Sequence, residues 1–267
     1  MRARGLWFLY AAGLLLLSAS SSEAANAPWR TCTGESDVAW ETQIKGCTAL
    51  IESERETRDN RAVAFNNRGI AFQALKQLDR AVEDFNEAIR LNPKVASSYT
   101  NRASAWNDKQ DYDRAIGDYS EAIRLNPKRG WSYVDRASVW IDKKDYDRAL
   151  ADLNEAIRLD AKDGCIPCAH NGLGNVWHAK GELDSTIAEY SEVIRMDPNW
   201  PMGYMGRGGV YAVMKNFDRA IADLSEAIRL DPKLAMAYHF RGLTYRLAGR
   251  SDLADADDKM AQKLSGN

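Results

Sequence analysis

The residues best suited to chemistry lie within one short stretch of the chain, AKDGCIPCAHNGLGNVWH at 161–178. They are Cys165, Cys168, His170 and His178. Thiols and imidazoles at this spacing can bind a metal or exchange between thiol and disulfide, and Pro167 can begin a helix whose N-terminus lowers the pKa of Cys168. A structural zinc site needs a second ligand pair, and haem attachment needs a histidine in place of Ala169. We therefore expect Cys165 and Cys168 to form a structural disulfide or to remain paired thiols, and we expect no metal.

Other catalytic signals are missing from the sequence. The chain has three histidines and contains no Gly-rich phosphate loop, no HExxH and no GxSxG segment. We expect no catalytic residues, no cofactor and no enzyme activity. A redox- or metal-responsive adaptor that uses Cys165 and Cys168 remains the alternative.

The charge balance argues against nucleic acid as a partner. The chain has 267 residues, with 36 Lys and Arg against 38 Asp and Glu. Nucleic-acid binding usually requires a basic excess or a basic stripe. The hydrophobic share of 45% is enough for a folded core.

The N-terminus has the pattern of a secretory signal. Arg2 and Arg4 precede an apolar run at 6–17, and small residues follow up to Ala24. We assign 1–24 as a signal peptide, because an uncleaved anchor would need about 20 apolar residues. We expect export into a bacterial periplasm, or secretion, with no membrane embedding after cleavage.

Export changes the interpretation of the cysteines, because an oxidising compartment permits disulfides. The four cysteines fall into two close pairs, which favours a Cys32–Cys47 bridge beside Cys165–Cys168. The first bridge would lie in an N-terminal cap segment, residues 25–61, in which 37–53 is predicted to form a helix.

A repeated segment dominates the rest of the chain. LDRAVEDFNEAIRLNP begins at Leu78, and related segments begin at Tyr112, Tyr146, Leu183 and Phe217. The pattern predicts two helices in each unit, with an aspartate such as Asp79 as N-cap and Asn-Pro or Asp-Pro after the second helix. These starts are 34, 34, 37 and 34 residues apart, and a period of this length is typical of a stacked repeat array.

These units resemble the tetratricopeptide repeat, which has a small residue at position 8, an aromatic at 11, alanine at 20 and proline at 32. The units are 62–95, 96–129, 130–163, 167–200, 201–234 and 235–267. The first has Gly69, Phe72, Ala81 and Pro93 at those positions. The resemblance implies an all-α fold, a right-handed α-solenoid of about six stacked helical hairpins behind an N-terminal capping helix.

The resemblance also implies a function. In this family the first helices line a concave groove that holds peptides or partner helices, so we expect a protein–protein interaction scaffold. The groove positions are Asn66, Thr100, Ser104, Asn107, Trp131, Ser138, Asn171, Asn175, His178, Met202, Met205, Met236, His239 and Arg246, with Gln73, Val134 and Leu243 on the same face. The methionines suit adaptable apolar contacts. Self-assembly through the repeat ends is a third possibility, and the sequence leaves the oligomeric state open.

An arginine recurs at position 7 of each unit except the fourth, and an aspartate recurs at position 23. Arg68 and Asp84 are the first such pair. The arginines are either a ladder for an acidic ligand or repeated structural ion pairs, and the fixed carboxylate favours ion pairs.

Overall fold

Apolar residues at helical spacing determine where the second helix of each hairpin forms and which face it buries. In the first repeat Ala81, Phe85 and Ala88 are buried on one face, while Glu83 and Glu87 lie on the other. The helix ends at Asn92, whose extended backbone precedes Pro93. The same ending occurs at Asn126, Asp197 and Asp231, as the sequence predicted.

The computed structural model describes residues 27–34, 38–159 and 164–266. The predicted signal peptide, 1–24, lies outside the described residues, as do the first residues of the cap segment and the end of the third repeat. No helix among the described residues is long and apolar enough to cross a membrane.

The chain divides after Asn126 into two compact units. The helices of the first unit are α1 (27–32), α2 (Trp40–Glu52), α3 (Arg58–Ala74), α4 (Leu78–Leu91), α5 (Ala96–Asp108) and α6 (Tyr112–Leu125). Those of the second are α7 (Gly130–Asp142), α8 (Tyr146–Arg158), α9 (Ile166–Lys180), α10 (Leu183–Met196), α11 (Pro201–Val213), α12 (Phe217–Leu230), α13 (Ala235–Leu247) and α14 (Ser251–Ser265). The described part contains no strand.

Neighbouring helices pair into hairpins, and within each unit the second helix of one hairpin packs on the first helix of the next. The hairpins are α3/α4, α5/α6, α7/α8, α9/α10, α11/α12 and α13/α14. The predicted all-α fold of stacked helical hairpins is confirmed.

The second helices begin two residues earlier than the sequence pattern suggested. The N-cap is Asp111 before α6 and Asp145 before α8, and each side chain accepts a hydrogen bond from a backbone N–H in the first turn. Asp79, which we expected to be an N-cap, is instead the second residue of α4. A carboxylate there still interacts favourably with the helix dipole.

The turn inside each hairpin requires one residue with left-handed backbone. In four hairpins this residue is not glycine, with φ between 59° and 62° at Lys76, Gln110, Lys144 and Lys215. Gly181 and Gly249 occupy the same position in the remaining two. The conformation closes the turn through a bond such as Gln77 N–H to Phe72 O, at 2.8 Å.

The repeated arginines form structural ion pairs. Arg68 donates two hydrogen bonds to Asp84, at 2.7 and 2.8 Å, and a third to the Thr48 hydroxyl of α2 at 2.9 Å. The equivalent pairs are Arg102–Asp118, Arg136–Asp152, Arg207–Asp223 and Arg241–Asp257. Each aspartate is buried and accepts two hydrogen bonds from its guanidinium. These arginines are therefore fixed within the stack rather than presented to an acidic ligand.

The fourth repeat departs from this pattern. Leu173 stands in place of the arginine, and Glu189 in place of the aspartate. His170, one turn earlier on α9, contacts Glu189 instead, with 2.7 Å between Nδ1 and Oε2. The histidine therefore supplies the partner that the missing arginine would have provided.

Candidate functional site

The first helices of the last three hairpins line a groove in the second unit. Its volume is about 490 Å³. It is lined by Asn171, Asn175, His178, Tyr190, Met202, Met205, Gly206, Gly209, Val210, Ala212, Val213, Met236, Phe240, Leu243, Thr244 and Leu247. We call this surface the α9–α11–α13 groove.

Close approach of helices builds the floor of the groove. The ring of Tyr190 lies against Gly174 of α9 and Gly206 of α11, where an added Cβ would come within 2.8 and 2.7 Å of it. Tyr190 donates a hydrogen bond to Asn175 Oδ1 at 2.7 Å, and burial raises the pKa of Tyr190 to about 12. Glycine at these two positions allows the helices to approach closely enough to enclose the ring.

The wall formed by α11 and α13 is apolar and exposed. Val213 is 59% exposed, Met236 54%, Leu243 40% and Leu247 66%. Large apolar side chains grouped at this exposure are typical of surfaces that contact another molecule.

The described residues that line the groove include no Asp, Glu, Lys or Arg. The groove can therefore bind apolar side chains, and it offers amide and imidazole groups at its α9 end.

Seven of the predicted residues lie together in this groove, namely Asn171, Asn175, His178, Met202, Met205, Met236 and Leu243. Their burial differs from what we expected of a methionine-rich surface. Met205 is 7% exposed and belongs to a core cluster with Leu224, against which Met202 also packs. Met236 is the methionine of the three that presents its side chain to solvent.

His239 and Arg246 lie in an adjoining recess between α13 and α14, beside Met236. Arg246 forms an ion pair with Asp258 of α14. The groove and the recess share Met236, so the two predicted residues extend the same face of α13.

The predicted residues outside the groove mainly make structural contacts. Asn66 Oδ1 accepts a hydrogen bond from Asn101 at 3.0 Å, and Ser104 accepts one from Gln73 at 2.9 Å. Thr100 Oγ1 donates to the Ala96 carbonyl at 3.3 Å. These bonds tie α3 to α5 or remain within one helix.

Three further predicted residues lie near these contacts or in the core. Asn107 Oδ1 is buried and has no hydrogen-bond partner in the described part of the chain. Trp131 packs on the core of the α7–α9 region, and the Ser138 hydroxyl donates to the Asp135 carbonyl at 2.7 Å.

The sequence analysis missed Val213, Phe240 and Leu247. Each lies on the same helical stripe as a residue that it did identify, such as Met236 followed by Phe240, Leu243 and Leu247. Extending the apolar spacing to the end of each first helix would have found them.

The two cysteine pairs differ in the structure. Cys32 and Cys47 form a disulfide that joins α1 to α2, with 4.6 Å between their Cα atoms. Cys165 and Cys168, expected to form the second bridge, are not bonded to each other. Cys165 is the N-cap of α9 and is fully buried, whereas Cys168 lies inside the first turn.

The surroundings of Cys168 disfavour the ionised form of its side chain, the thiolate. Helix α9 does begin near Pro167, as predicted, yet burial and the nearby Asp135 carboxylate raise the pKa of Cys168. Burial also raises the pKa of Asp135 itself to about 6, against the opposing effect of Arg129. The lowered pKa of Cys168 on which the redox alternative depended is not found, because burial and the Asp135 carboxylate both disfavour the thiolate. In the described ranges no three His, Cys, Asp or Glu side chains are grouped to hold a metal.

Comparison with protein-family models identifies the Tetratricopeptide repeat at residues 62–95, 96–129, 134–201 and 203–234. No curated protein matches the chain. Among solved structures, a tetratricopeptide repeat protein from Parabacteroides merdae superimposes with a TM-score of 0.70 at 20% identity, over 84% of this chain and 86% of that one.

Two further structures are similar. PilF of Pseudomonas aeruginosa has a TM-score of 0.64 at 15% identity, over 78% of this chain and 94% of that one. A chain of the APC/C hetero-tetramer Cut9–Hcn1 has a TM-score of 0.69 at 18% identity, and this chain covers 46% of its length with 85% of its own. At these identities the likeness shows the fold alone. With repeat models matching more than half of its residues, the chain belongs to the tetratricopeptide repeat family.

Proposed function

We propose that this protein is a non-enzymatic scaffold that binds a peptide or a partner helix in the α9–α11–α13 groove. The exposed apolar wall of Val213, Met236, Leu243 and Leu247 is the observation that supports the proposal. Covering four half-exposed side chains of this size would contribute about 1 kcal/mol each. Tetratricopeptide repeats are typical of protein–protein interaction scaffolds, which agrees with this role.

The lining of the groove restricts the chemistry of the ligand. Because the described lining residues carry no charged side chain, a charged ligand group would lose its hydration without gaining an ion pair. The preferred ligand therefore presents a face of aliphatic or aromatic side chains, as one side of an amphipathic helix does. Asn171 and His178 can hydrogen-bond to a polar group at one end of that face.

We further propose export as the setting of this function. The leader pattern at 1–24 and the Cys32–Cys47 disulfide of the cap support a periplasmic or secreted protein. N-terminal sequencing of the protein from an envelope fraction should find Ala25 first. A chain that keeps Met1 and sediments with membranes would contradict signal cleavage.

Site-specific photo-crosslinking tests the groove directly. A photoreactive amino acid at Leu243 should give an adduct with a discrete partner, whose attachment site maps to an apolar segment. The same amino acid at Ala222, exposed on α12 outside the groove, is the matched control. Identical adducts from both positions would refute binding in the groove.

A binding measurement with the purified partner segment then tests the apolar wall. The double variant Met236→Glu/Leu247→Glu should weaken binding at least tenfold, because a bound segment would bury both introduced carboxylates. The double variant Ala188→Glu/Ala222→Glu adds the same charge at exposed positions of α10 and α12. Equal affinity of the two variants would contradict the proposal, provided that circular dichroism shows both to be folded.

A further inference from the structure

The last helix, α14, keeps the register of the other second helices. Its buried residues are Ala254, Asp257 and Ala261, and Asp257 accepts the usual pair of hydrogen bonds from Arg241. The faces of α14 can therefore be compared position by position with those of the preceding second helices.

The stacking face of α14 is polar. In α12 this face contains Leu224 and Ile228, which pack near α13. At the same positions α14 has Asp258 and Gln262. This face is therefore unsuited to apolar stacking with another hairpin.

The outer face of α14 changes in the opposite direction. At the two outer positions the earlier second helices have Arg80 and Glu87, Arg114 and Glu121, Arg148 and Glu155, Ser185 and Glu192, and Arg219 and Glu226. In α14 these positions hold Leu253 and Met260, which are 49% and 38% exposed. Exposed Ala256 lies between them, as Ala222 does at the same position of α12, so the three form an apolar stripe whose two end positions are polar in the other repeats.

The charges beside this stripe change from negative to positive along the helix. Asp252 lies at the N-terminal end, Lys259 and Lys263 lie toward the C-terminal end, and all three are exposed on the same flank. The two lysines form no ion pair with any described residue. In an antiparallel pair of identical helices, like flanks meet in reversed order, so Asp252 of each copy faces Lys263 of the other.

We propose that the Leu253–Ala256–Met260 stripe is a dimerisation surface on which α14 of a second copy packs antiparallel about a two-fold axis. Leu253 of each copy then lies beside Met260 of the other. The charge order is complementary to itself in this direction, whereas a parallel pair would place the charged flank of each copy against the opposite flank of the other. The surface shares no residue with the α9–α11–α13 groove, so dimerisation and partner binding are independent.

The small area of one helix pair limits the dimer to weak, reversible association. Sedimentation velocity of the mature protein, from about 10 to 500 µM, should show a weight-average mass that rises toward twice that of the monomer. The variant Leu253→Arg/Met260→Glu restores the residues typical of the other repeats, so it should fold with an unchanged melting temperature and remain monomeric. A monomeric wild type, or a double variant that associates equally well, would overturn the proposal.

Charge exchange tests the direction of pairing. Asp252→Lys places the introduced lysine against Lys263 of the other copy and should weaken association at least fivefold at low salt. Combining it with Lys263→Asp restores both pairs and should recover the wild-type dissociation constant. Failure of this rescue, or a single variant that associates normally, would exclude the antiparallel second copy.

Discussion

Removing the buried carboxylate of the first repeat should destabilise the protein far more than removing an exposed carboxylate one turn later. The side chain of Asp84 is 7% exposed, and it accepts two hydrogen bonds from Arg68, whose side chain is 18% exposed. Arg68 also binds Thr48 of α2. The change Asp84→Ala therefore leaves a nearly buried guanidinium without its counter-ion at the contact between two stacked elements.

The magnitude follows from that burial. Breaking a buried ion pair by removing one partner costs about 3–5 kcal/mol. Arg68 retains some contact with water and keeps its bond to Thr48, so we expect a loss of about 2–4 kcal/mol in the free energy of unfolding. For a chain of this size, the melting temperature should fall by about 5–10 °C.

Differential scanning calorimetry at pH 7 measures the effect, with Glu87→Ala as the matched control. Glu87 is on the same helix and pairs with Arg90, but their side chains are 42% and 65% exposed. Solvent screens such a pair, so its loss should leave the melting temperature within experimental error. Equal shifts for Asp84→Ala and Glu87→Ala would refute the structural role of the repeated arginine–aspartate pairs.

Three further measurements test other parts of the structure. The pKa of Asp135 is raised to about 6, so the folded state binds the extra proton between about pH 4 and pH 6 and stability falls as pH rises through that window. Asp135→Asn should therefore raise the free energy of unfolding by about 1–3 kcal/mol at pH 7.5 and leave it unchanged near pH 3.5. Chemical denaturation at the two pH values measures this difference, and equal gains at both would contradict the raised pKa of Asp135. Peptide mapping without reductant should find Cys32 joined to Cys47, and a finding of four free thiols would contradict this bridge. Replacing both cysteines by serine should lower the free energy of unfolding by about 3 kcal/mol, which hydrogen exchange would show as faster exchange in α1 and α2. Ala115→Leu should overpack the α5/α6 hairpin by about 1–3 kcal/mol, and an unchanged melting curve would count against the burial of this site.

Local pattern was sufficient to predict the hairpins, because each repeat encodes the same spacing of small, aromatic and proline residues. The predicted helix starts were displaced by two residues, since Asp111 and Asp113 are both good helix-start residues and only the backbone selects Asp111 as the cap. The arginine–aspartate pairs were likewise predictable from two fixed positions in the repeat.

The cysteine junction shows where sequence reasoning was insufficient. Pro167 correctly indicated a helix start, but the pKa of Cys168 is raised by burial and by Asp135, which lies 33 positions earlier on α7. Only the packing of α7 against α9 brings that carboxylate close. Cys165 and Cys168 do not form the expected second disulfide, because the spacing of cysteines in the sequence does not by itself determine which sulfurs bond.

The sequence by itself determined the repeat, the two helices of each unit and the face from which a groove could be built, because these depend on periodicity that each segment contains. Tertiary structure decided which members of that face remain exposed. Met205 is buried by Leu224 of the next helix, whereas Leu247 at the end of α13 stays in solvent. The physical reason is that exposure depends on which side chains of another helix cover a residue, and the spacing within one helix contains no information about that partner helix.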